Sequence, residues 1–486
     1  MVLYPWQYLK KQLYFLQLEN YDLKRFWKVL KHQDLESVEP FRQELVWTWK
    51  LRIVFSLSFI LYLVFILFSS WNLYILTNIT LLAGLLFLTL IYVLPALFVY
   101  LLILSVLLLT PFDQLAKYII ITKAKLKLKS FDKLTIIGIT GSYGKTTLKE
   151  VLFTILSNNF NTVKTVDNKN TPLGIAAQIQ KQITKNTRIF IVEMGAYYQG
   201  DIRAICKLTP PDIALLTGIN EAHLERFGSL QKTIATKFEL IETTNPEGMV
   251  ILNADNQLVK DNYPGYIGKH SVQFYSFKND PLATLIIKNR KFSDTKLEWS
   301  FELWQGKKKI GAFTTKLLGE YSLATISAAV LVALDLGIEP EAIAKSIAKL
   351  EPIPHRLQPI ANPNGIVVID DSYNGNSEGA AEAIKLLAKF AKRRKIYITP
   401  GLVETGEQAE SVHFDIGAKL ATTADLVILV KNSVTPFIAK GLEQHGFKKN
   451  QIIWFDSASQ AHEGLGGILK KGDVVLFQND WPDNYY

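Results

Sequence analysis

Ile136-Ile137-Gly138-Ile139-Thr140-Gly141-Ser142-Tyr143-Gly144-Lys145-Thr146-Thr147 is a short apolar strand that runs into a glycine-bracketed turn and then a helix. It reads as a phosphate-binding loop. With no side chains on Gly141 and Gly144 the backbone can close around oxygens, its N–H groups and the next helix N-terminus pointing at negative charge. Lys145 then reaches the terminal phosphates, and the Thr146 hydroxyl is placed for Mg²⁺. The loop departs from G-x-x-x-x-G-K-[ST]: Ile139 stands where the first glycine belongs, and Gly141 gives a tighter G-x-x-G-K-T-T. An ordinary strand-to-helix turn is the alternative, and the rest of the chain decides between the two.

At 486 residues the chain exceeds one core and suggests about three units. Net charge is +10, and the Lys and Arg of the first 133 positions gather on either side of an apolar block, nine of them before residue 53. That distribution points to a membrane surface, not to nucleic acid. The single cysteine, Cys206, rules out a disulfide framework and a Cys metal cluster. Residues 1–50 interleave aromatic and basic side chains, as in Leu23-Lys24-Arg25-Phe26-Trp27-Lys28-Val29-Leu30. Such spacing suits a helix lying on headgroups, or equally a soluble helix packed on the protein. Residues 51–110 are almost uncharged and long enough for about three spans of roughly 20 residues, with turns expected at Ser69-Ser70-Trp71-Asn72 and at Pro95. Lys and Arg flank the block up to Arg52 and again from Lys117 to Lys133, placing both ends in the cytoplasm. That requires an even number of crossings: two spans plus a re-entrant or interfacial segment satisfy it, and three spans do not.

Residues 111–133 read as a basic linker, after which short apolar strands alternate with helices. Expected strands are 134–139, 188–193, 213–217 and 249–253, with helices such as 148–157 and 230–241 between them. Alternation of this kind implies a parallel sheet covered on both faces. Residues 270–315 alternate as an antiparallel insertion or edge. A second α/β unit follows Pro352 and Pro354, with strands expected at 365–369, 395–399, 426–430, 452–455 and 474–477. The expected class is therefore α/β: a helical transmembrane region, a P-loop parallel-sheet ATP-binding domain (134–352) and a Rossmann-like C-terminal domain (353–486).

Ligands of open α/β sheets bind at strand exits. Glu193 closes one strand and His223 follows another. Beside a phosphate loop, a carboxylate and an imidazole can hold a divalent cation, while a lone histidine can equally be structural. Lys237 lies in an expected helix, where a solvated side chain is the plain reading. His355-Arg356 precedes a strand and Asp370-Asp371-Ser372-Tyr373-Asn374 follows one; adjacent acids there suit a ribose hydroxyl, phosphate chemistry or a helix cap.

Taken in order, Gly138 to Thr147, Glu193-Met194-Gly195-Ala196, Asn220-Glu221-Ala222-His223-Leu224-Glu225-Arg226-Phe227-Gly228-Ser229, Lys237 and Asp370 to Asn374 resemble the Mur ligases over roughly residues 134–480. The resemblance implies an ATP- and Mg²⁺-dependent amide ligase of peptidoglycan synthesis that works through an acyl phosphate, with D-alanyl-D-alanine joined to a muramoyl-peptide. It further implies catalytic roles for Lys145, Glu193, His223 and Lys237. ATP would be held by Gly141, Ser142, Tyr143, Gly144, Lys145, Thr146 and Thr147, and clamped by Arg356, Asp370 and Asp371 from the second domain. Metal would be held by Thr146, Glu193, His223 and, if carbamylated, Lys237. Asn168, Asn170, Thr171, Asn374 and Asn376 fall at substrate positions. The chain departs from the family at Gly375-Asn376-Ser377-Glu378-Gly379 and at Ser322 and Thr325. The membrane block also stands where a uridine-nucleotide domain is expected. Those departures leave the acceptor open to a lipid-linked or nonstandard peptide, and a nucleotide-binding scaffold without turnover is the non-enzymatic alternative. The expected partners are small-molecule substrates and the cytoplasmic membrane, which the chain would cross more than once with its catalytic domains facing the cytoplasm.

Overall fold

The computed structural model describes residues 5–32, 45–77, 81–82, 84–86, 89, 94–131, 133–166, 169–220, 227–360, 364–373, 375–402 and 408–478; Asn168, His223 and Asn374 fall outside them. The chain divides into two compact units, residues 1–119 and 120–486.

The first unit holds α1 (Pro5–Leu18), α2 (Leu23–His32), α3 (Trp49–Thr77) and most of α4 (Leu94–Lys129). Two stretches, Trp49–Leu76 and Leu97–Lys129, are long and apolar enough to cross a membrane by length and composition. The turn expected at Ser69–Asn72 is helix instead. Asn72 Nδ2 donates to Phe68 O at 2.8 Å, so its amide is satisfied on the preceding turn and the helix continues. The expected linker is likewise helical through Lys129, with Pro111 inside α4. Ser58 and Ser105 hydroxyls meet at 2.8 Å between α3 and α4. Asp113 Oδ2 lies 3.2 Å from Lys50 Nζ and 2.8 Å from Lys117 Nζ. Leu13, Leu16 and Phe26 bury against Leu51, Val54, Phe98 and Leu102.

The second unit begins with β1 (Thr135–Thr140), α5 (Lys145–Leu156), β2 (Thr162–Lys164), α6 (Pro172–Gln182), β3 (Ile189–Glu193), α7 (Asp201–Leu208), β4 (Ile213–Leu216), α8 (Leu230–Glu242), β5 (Met249–Asn253), α9 (Gln257–Asn262) and β6 (Ser271–Tyr275). These strands form one parallel sheet in the order β2-β3-β1-β4-β5-β6. Successive side chains point to opposite faces. Ile137, Ile139, Ile189, Ile191 and Leu215 enter one core, and Ile136, Phe190, Val192, Ala214 and Leu216 the other. Burial on both faces is why the central strands β1, β3, β4 and β5 read as near-continuous apolar runs. Lys127 Nζ donates to Ile179 O and Gln180 O, capping the C-terminal turn of α6 with a cation.

An antiparallel sheet of β7 (Ile286–Ser293), β8 (Glu298–Gln305) and β9 (Lys308–Thr315) follows, then α10 (Tyr321–Asp335) and α11 (Pro340–Ala348). The chain ends in β10 (Gln358–Ile360), β11 (Val367–Asp371), α12 (Ser377–Ala388), β12 (Lys395–Thr399), α13 (Ala409–Ala421), β13 (Leu426–Val430), α14 (Thr435–Gln444), β14 (Ile452–Phe455), α15 (Ala458–Ile468) and β15 (Val474–Gln478). Their sheet runs β10-β11-β15-β12-β13-β14 and is parallel except for the edge strand β10. The second sheet is thus mixed.

Candidate active site

Adjacent parallel strands deliver the central residues. Ile139 of β1 stands in register with Glu193 of β3, and Thr140 with Leu216 of β4, so the turn after β1 lies between two polar strand exits. Gly141 adopts φ +150°, and a Cβ there would stand 2.0 Å from Thr217 Oγ1. Gly144, at φ +74°, begins α5. Ser142 N donates to Gly218 O at 2.8 Å. The Thr217 hydroxyl contacts Tyr143 O and, at 3.2 Å, Thr140 O. Tyr143 Oη accepts from Asn256 Nδ2 at 3.1 Å. Thr217, Gly218 and Asn256 therefore shape the loop, though its sequence gives no sign of them, because their part is played from other strand exits.

Lys145 Nζ donates to Gly141 O at 2.7 Å, folding the side chain back over the loop. Its pKa is lowered chiefly by desolvation, with Glu193 opposing and Arg356 reinforcing the shift. Thr146 Oγ1 donates to Glu193 Oε1 at 3.2 Å. Glu193, 4% exposed, has its backbone N–H on Thr165 Oγ1 and its Oε2 at 2.9 Å from Lys149 Nζ. That contact meets the ion-pair distance, yet Oε2 has no aligned hydrogen bond. The Thr146 hydroxyl and the Oε1 beside it are a part-buried hard-oxygen pair that suits Mg²⁺, which would keep waters and phosphate oxygens as its other ligands. Among the described residues no group of three His, Cys, Asp or Glu could hold a metal without such help.

Lys237 lies in α8, whose first turn is capped by Ser229 accepting from Lys232 N at 3.3 Å. It is buried, its ammonium 5.7 Å from the centre of the Phe227 ring. Burial first, and the Lys145 charge second, lower its pKa to about 7, against the pull of Asp201 and Glu239. Lys237 is therefore not the solvated side chain its type suggests.

The second domain brings a complementary cluster. Arg356 stacks its guanidinium 4.5 Å from the Tyr373 ring centre. His355 Nδ1 lies 2.7 Å from Asp370 Oδ2. Asp371 Oδ1 accepts from Leu357 N at 3.1 Å. Burial pushes the Asp371 carboxyl up to about 7, with Asp370 adding to the shift and Leu357 N–H and Arg356 opposing it. Half-buried Tyr321 connects the two domains electrostatically: desolvation raises its hydroxyl to about 12, Asp371 adds to that, and Arg356 and a hydrogen bond with Thr147 oppose it. Asn220 bridges as well, its N donating to Ser142 Oγ at 3.2 Å and its Nδ2 to Glu378 Oε2 at 2.9 Å.

Among the expected substrate residues, Asn170 sits at the exit of β3: its carbonyl accepts from Gly195 N at 3.1 Å. Thr171 caps α6 by accepting from Gly174 N at 3.4 Å, and Asn376 caps α12 by accepting from Gly379 N at 2.7 Å. The structure thus gathers the loop, Glu193, Lys237, Arg356 and Asp371, and adds Lys149, Thr217 and Tyr321. Lys149 is three residues beyond Thr146, and that helical spacing was its only signal in the sequence.

Residues 139–333 match the model of the Mur ligase middle domain, and residues 355–478 that of the Mur ligase, glutamate ligase domain. The UDP-N-acetylmuramoyl-tripeptide–D-alanyl-D-alanine ligase of Escherichia coli K12 is 30% identical over 339 residues, 69% of this chain and 74% of that enzyme. Its Bacillus subtilis 168 counterpart is 26% identical over 344 residues, 71% and 72%. The crystal structure of the MurF ligase from Thermotoga maritima in complex with ADP superposes with a TM-score of 0.65 at 27% identity, covering 75% of this chain and 80% of that one.

Proposed function

The chain belongs to the Mur ligase family, ATP-dependent ligases that form ADP, and on that premise we propose that it joins D-alanyl-D-alanine to a muramoyl-tripeptide from a membrane-anchored position. One observation carries the reading: Lys145 and the Thr146–Glu193 pair lie in one electrostatic neighbourhood with Arg356 of the other domain. Phosphoryl transfer depends on such positioning and charge neutralisation.

The acceptor carboxylate attacks the terminal phosphorus of ATP, ADP leaves, and the amine of the dipeptide displaces phosphate from the acyl phosphate to form the amide. Loop N–H groups from Gly141 to Thr147 cradle the phosphates. Lys145 exchanges its contact with Gly141 O for a phosphate oxygen. Thr146 and Glu193 would hold Mg²⁺, whose charge would offset that of the transferred group. His223 and Lys237 would serve a second cation, Lys237 as a carbamate if its amine, lowered to about 7 by burial, takes up CO₂ with loss of a proton. Arg356, Asp370 and Asp371 clamp the nucleotide as residues 353–486 close on residues 134–352. Asn170, Thr171 and Asn376 would meet the acceptor, with Thr171 and Asn376 contributing the helix N-termini they cap, and the resemblance gives Asn168 and Asn374 the same role. Helices α1 and α2 and the start of α3 would lie at the headgroups, where Trp6, Trp27 and Trp49 each carry a cation within 6 Å: Lys10, Lys31 and Arg52, at 5.4, 5.8 and 5.5 Å. The catalytic domains face the cytoplasm.

A second reading keeps the chemistry and changes the acceptor to a lipid-linked muramoyl-peptide. It is favoured by the apolar helices of residues 49–129, which stand where relatives are expected to grip a uridine nucleotide. Purified full-length protein with ATP and Mg²⁺ should release phosphate only when both UDP-N-acetylmuramoyl-tripeptide and D-alanyl-D-alanine are present. Release with the lipid-linked acceptor alone would select the second reading, and indifference to every muramoyl-peptide would reject both.

A further inference from the structure

Lys149 is 1% exposed, among the largest fully buried side chains of the described residues. A lysine is seldom sealed this way unless its ammonium has a partner. Its partner is Glu193, at 2.9 Å between Nζ and Oε2. The two carboxylate oxygens are therefore divided: Oε1 faces the Thr146 hydroxyl at 3.2 Å, and Oε2 faces an ammonium. The division follows from the fold. Thr146 and Lys149 are three apart on α5 and so share one helix face, and β3 ends at Glu193 beside β1, the strand that leads into that helix.

We propose that Lys149 is a positioning residue that occupies one oxygen of Glu193, so that only Oε1, the oxygen next to Thr146, is offered to the nucleotide's cation. This rests on the reading of Thr146 and Glu193 as the Mg²⁺ pair. Two consequences follow. The carboxylate is held to one-oxygen coordination, which keeps the cation in register with the phosphate loop. Its negative charge is also shared with an ammonium, so the cation is bound less tightly than an unshared carboxylate would bind it, and leaves more readily with product.

Full-length Lys149→Met and Lys149→Gln proteins test this. Methionine retains bulk without charge or donor; glutamine retains an N–H donor for Oε2 without charge. Two quantities are read: the half-saturating Mg²⁺ concentration beside kcat, and the Mg²⁺-dependent part of the rise in thermal midpoint that ADP produces. Lys149→Met should lose at least about tenfold in kcat while half-saturation falls about threefold or more and the Mg²⁺-dependent thermal rise grows. Lys149→Gln should recover most of kcat and keep the tighter Mg²⁺ dependence. Should Lys149→Met fail to fold, the glutamine protein alone decides through its Mg²⁺ dependence. Half-saturation and thermal rise that stay within twofold of the parent, even with a lowered midpoint, would make Lys149 a buried strut and overturn the proposal. Weaker Mg²⁺ binding would overturn it too. The thermal readout needs no peptide, so it stands or falls apart from the identity of the acceptor.

Discussion

Asp371 is a carboxylate held in a place that disfavours its charge. Its pKa is about 7 in the folded chain against an ordinary 3.8, with burial as the main cause. Between those values the folded protein retains a proton that the unfolded chain has released. Stability therefore falls as pH rises from about 4 through about 7, and the full penalty of the buried charge persists above. Asp371→Asn keeps an acceptor for Leu357 N–H and removes the titration. Its thermal midpoint should match the parent near pH 4 and exceed it by about 2 °C or more at pH 8. Scanning calorimetry from pH 4 to pH 8 checks the sign; a difference that does not change with pH would reject burial as the source of the shift. The same substitution should raise the KM for ATP, since a charge kept under such conditions is most simply explained by use. Arg356, close enough to oppose the shift, is the group that would meet the same nucleotide.

At the scale of the element, β1, its turn and α5 work as one device, and its two glycines are unequal. An alanine at 141 would need φ +150° and would drive its Cβ to 2.0 Å from Thr217 Oγ1. An alanine at 144 would have left-handed strain, but its nearest contact, Thr217 Cβ at 3.7 Å, is ordinary. Gly141→Ala should therefore lose about 100-fold or more in ATP-dependent turnover together with the thermal rise on ADP, whereas Gly144→Ala should keep part of both. Equal losses would mean that backbone conformation, and not the approach of Thr217, limits the loop. This device was legible in the sequence because its parts are contiguous, and the strands 249–253, 395–399, 426–430 and 452–455 fall where their apolar runs do. The Ser69–Asn72 run misled because a turn and a back-bonded helical asparagine look alike until the partner carbonyl of Phe68 is known. Lys149 and Thr217 were illegible for a related reason. A lysine in a helix and a threonine at a strand end are ordinary until tertiary structure puts Glu193 beside one and Tyr143 O beside the other.

For the whole molecule, the question is what the two apolar helices do, and the chain carries its own means of answering. Its single cysteine, Cys206, is buried with Sγ 3.6 Å from Met194 Sδ, and burial pushes its thiol up to about 12. A thiol so placed presents almost no thiolate at neutral pH, so it reacts slowly with maleimides and leaves the natural background silent. Lysines lie at both outer ends of the helix pair, Lys50 before and Lys117 to Lys129 after; on the proposed topology both ends would face the cytoplasm and the connection between the helices the far side. Leu82→Cys, in that connection, should react with a membrane-impermeant maleimide in intact cells. Lys24→Cys and Lys129→Cys should react only after permeabilisation. If Leu82→Cys is also protected until the membrane is opened, α3 and α4 do not cross. The apolar surfaces of Phe59, Leu63, Leu67, Leu104 and Leu108, each more than 40% exposed, would then need another protein or an embedded position in one leaflet to cover them. If the labelling follows the lysines, residues 120–486 are tethered on the cytoplasmic side, where ATP is made available. A tether there favours an acceptor that is itself confined to the membrane, because both partners then search a surface instead of a volume. Phosphate release compared at equal concentrations of soluble and bilayer-embedded acceptor would measure that advantage directly, and a ratio near one would leave the helices as an anchor alone.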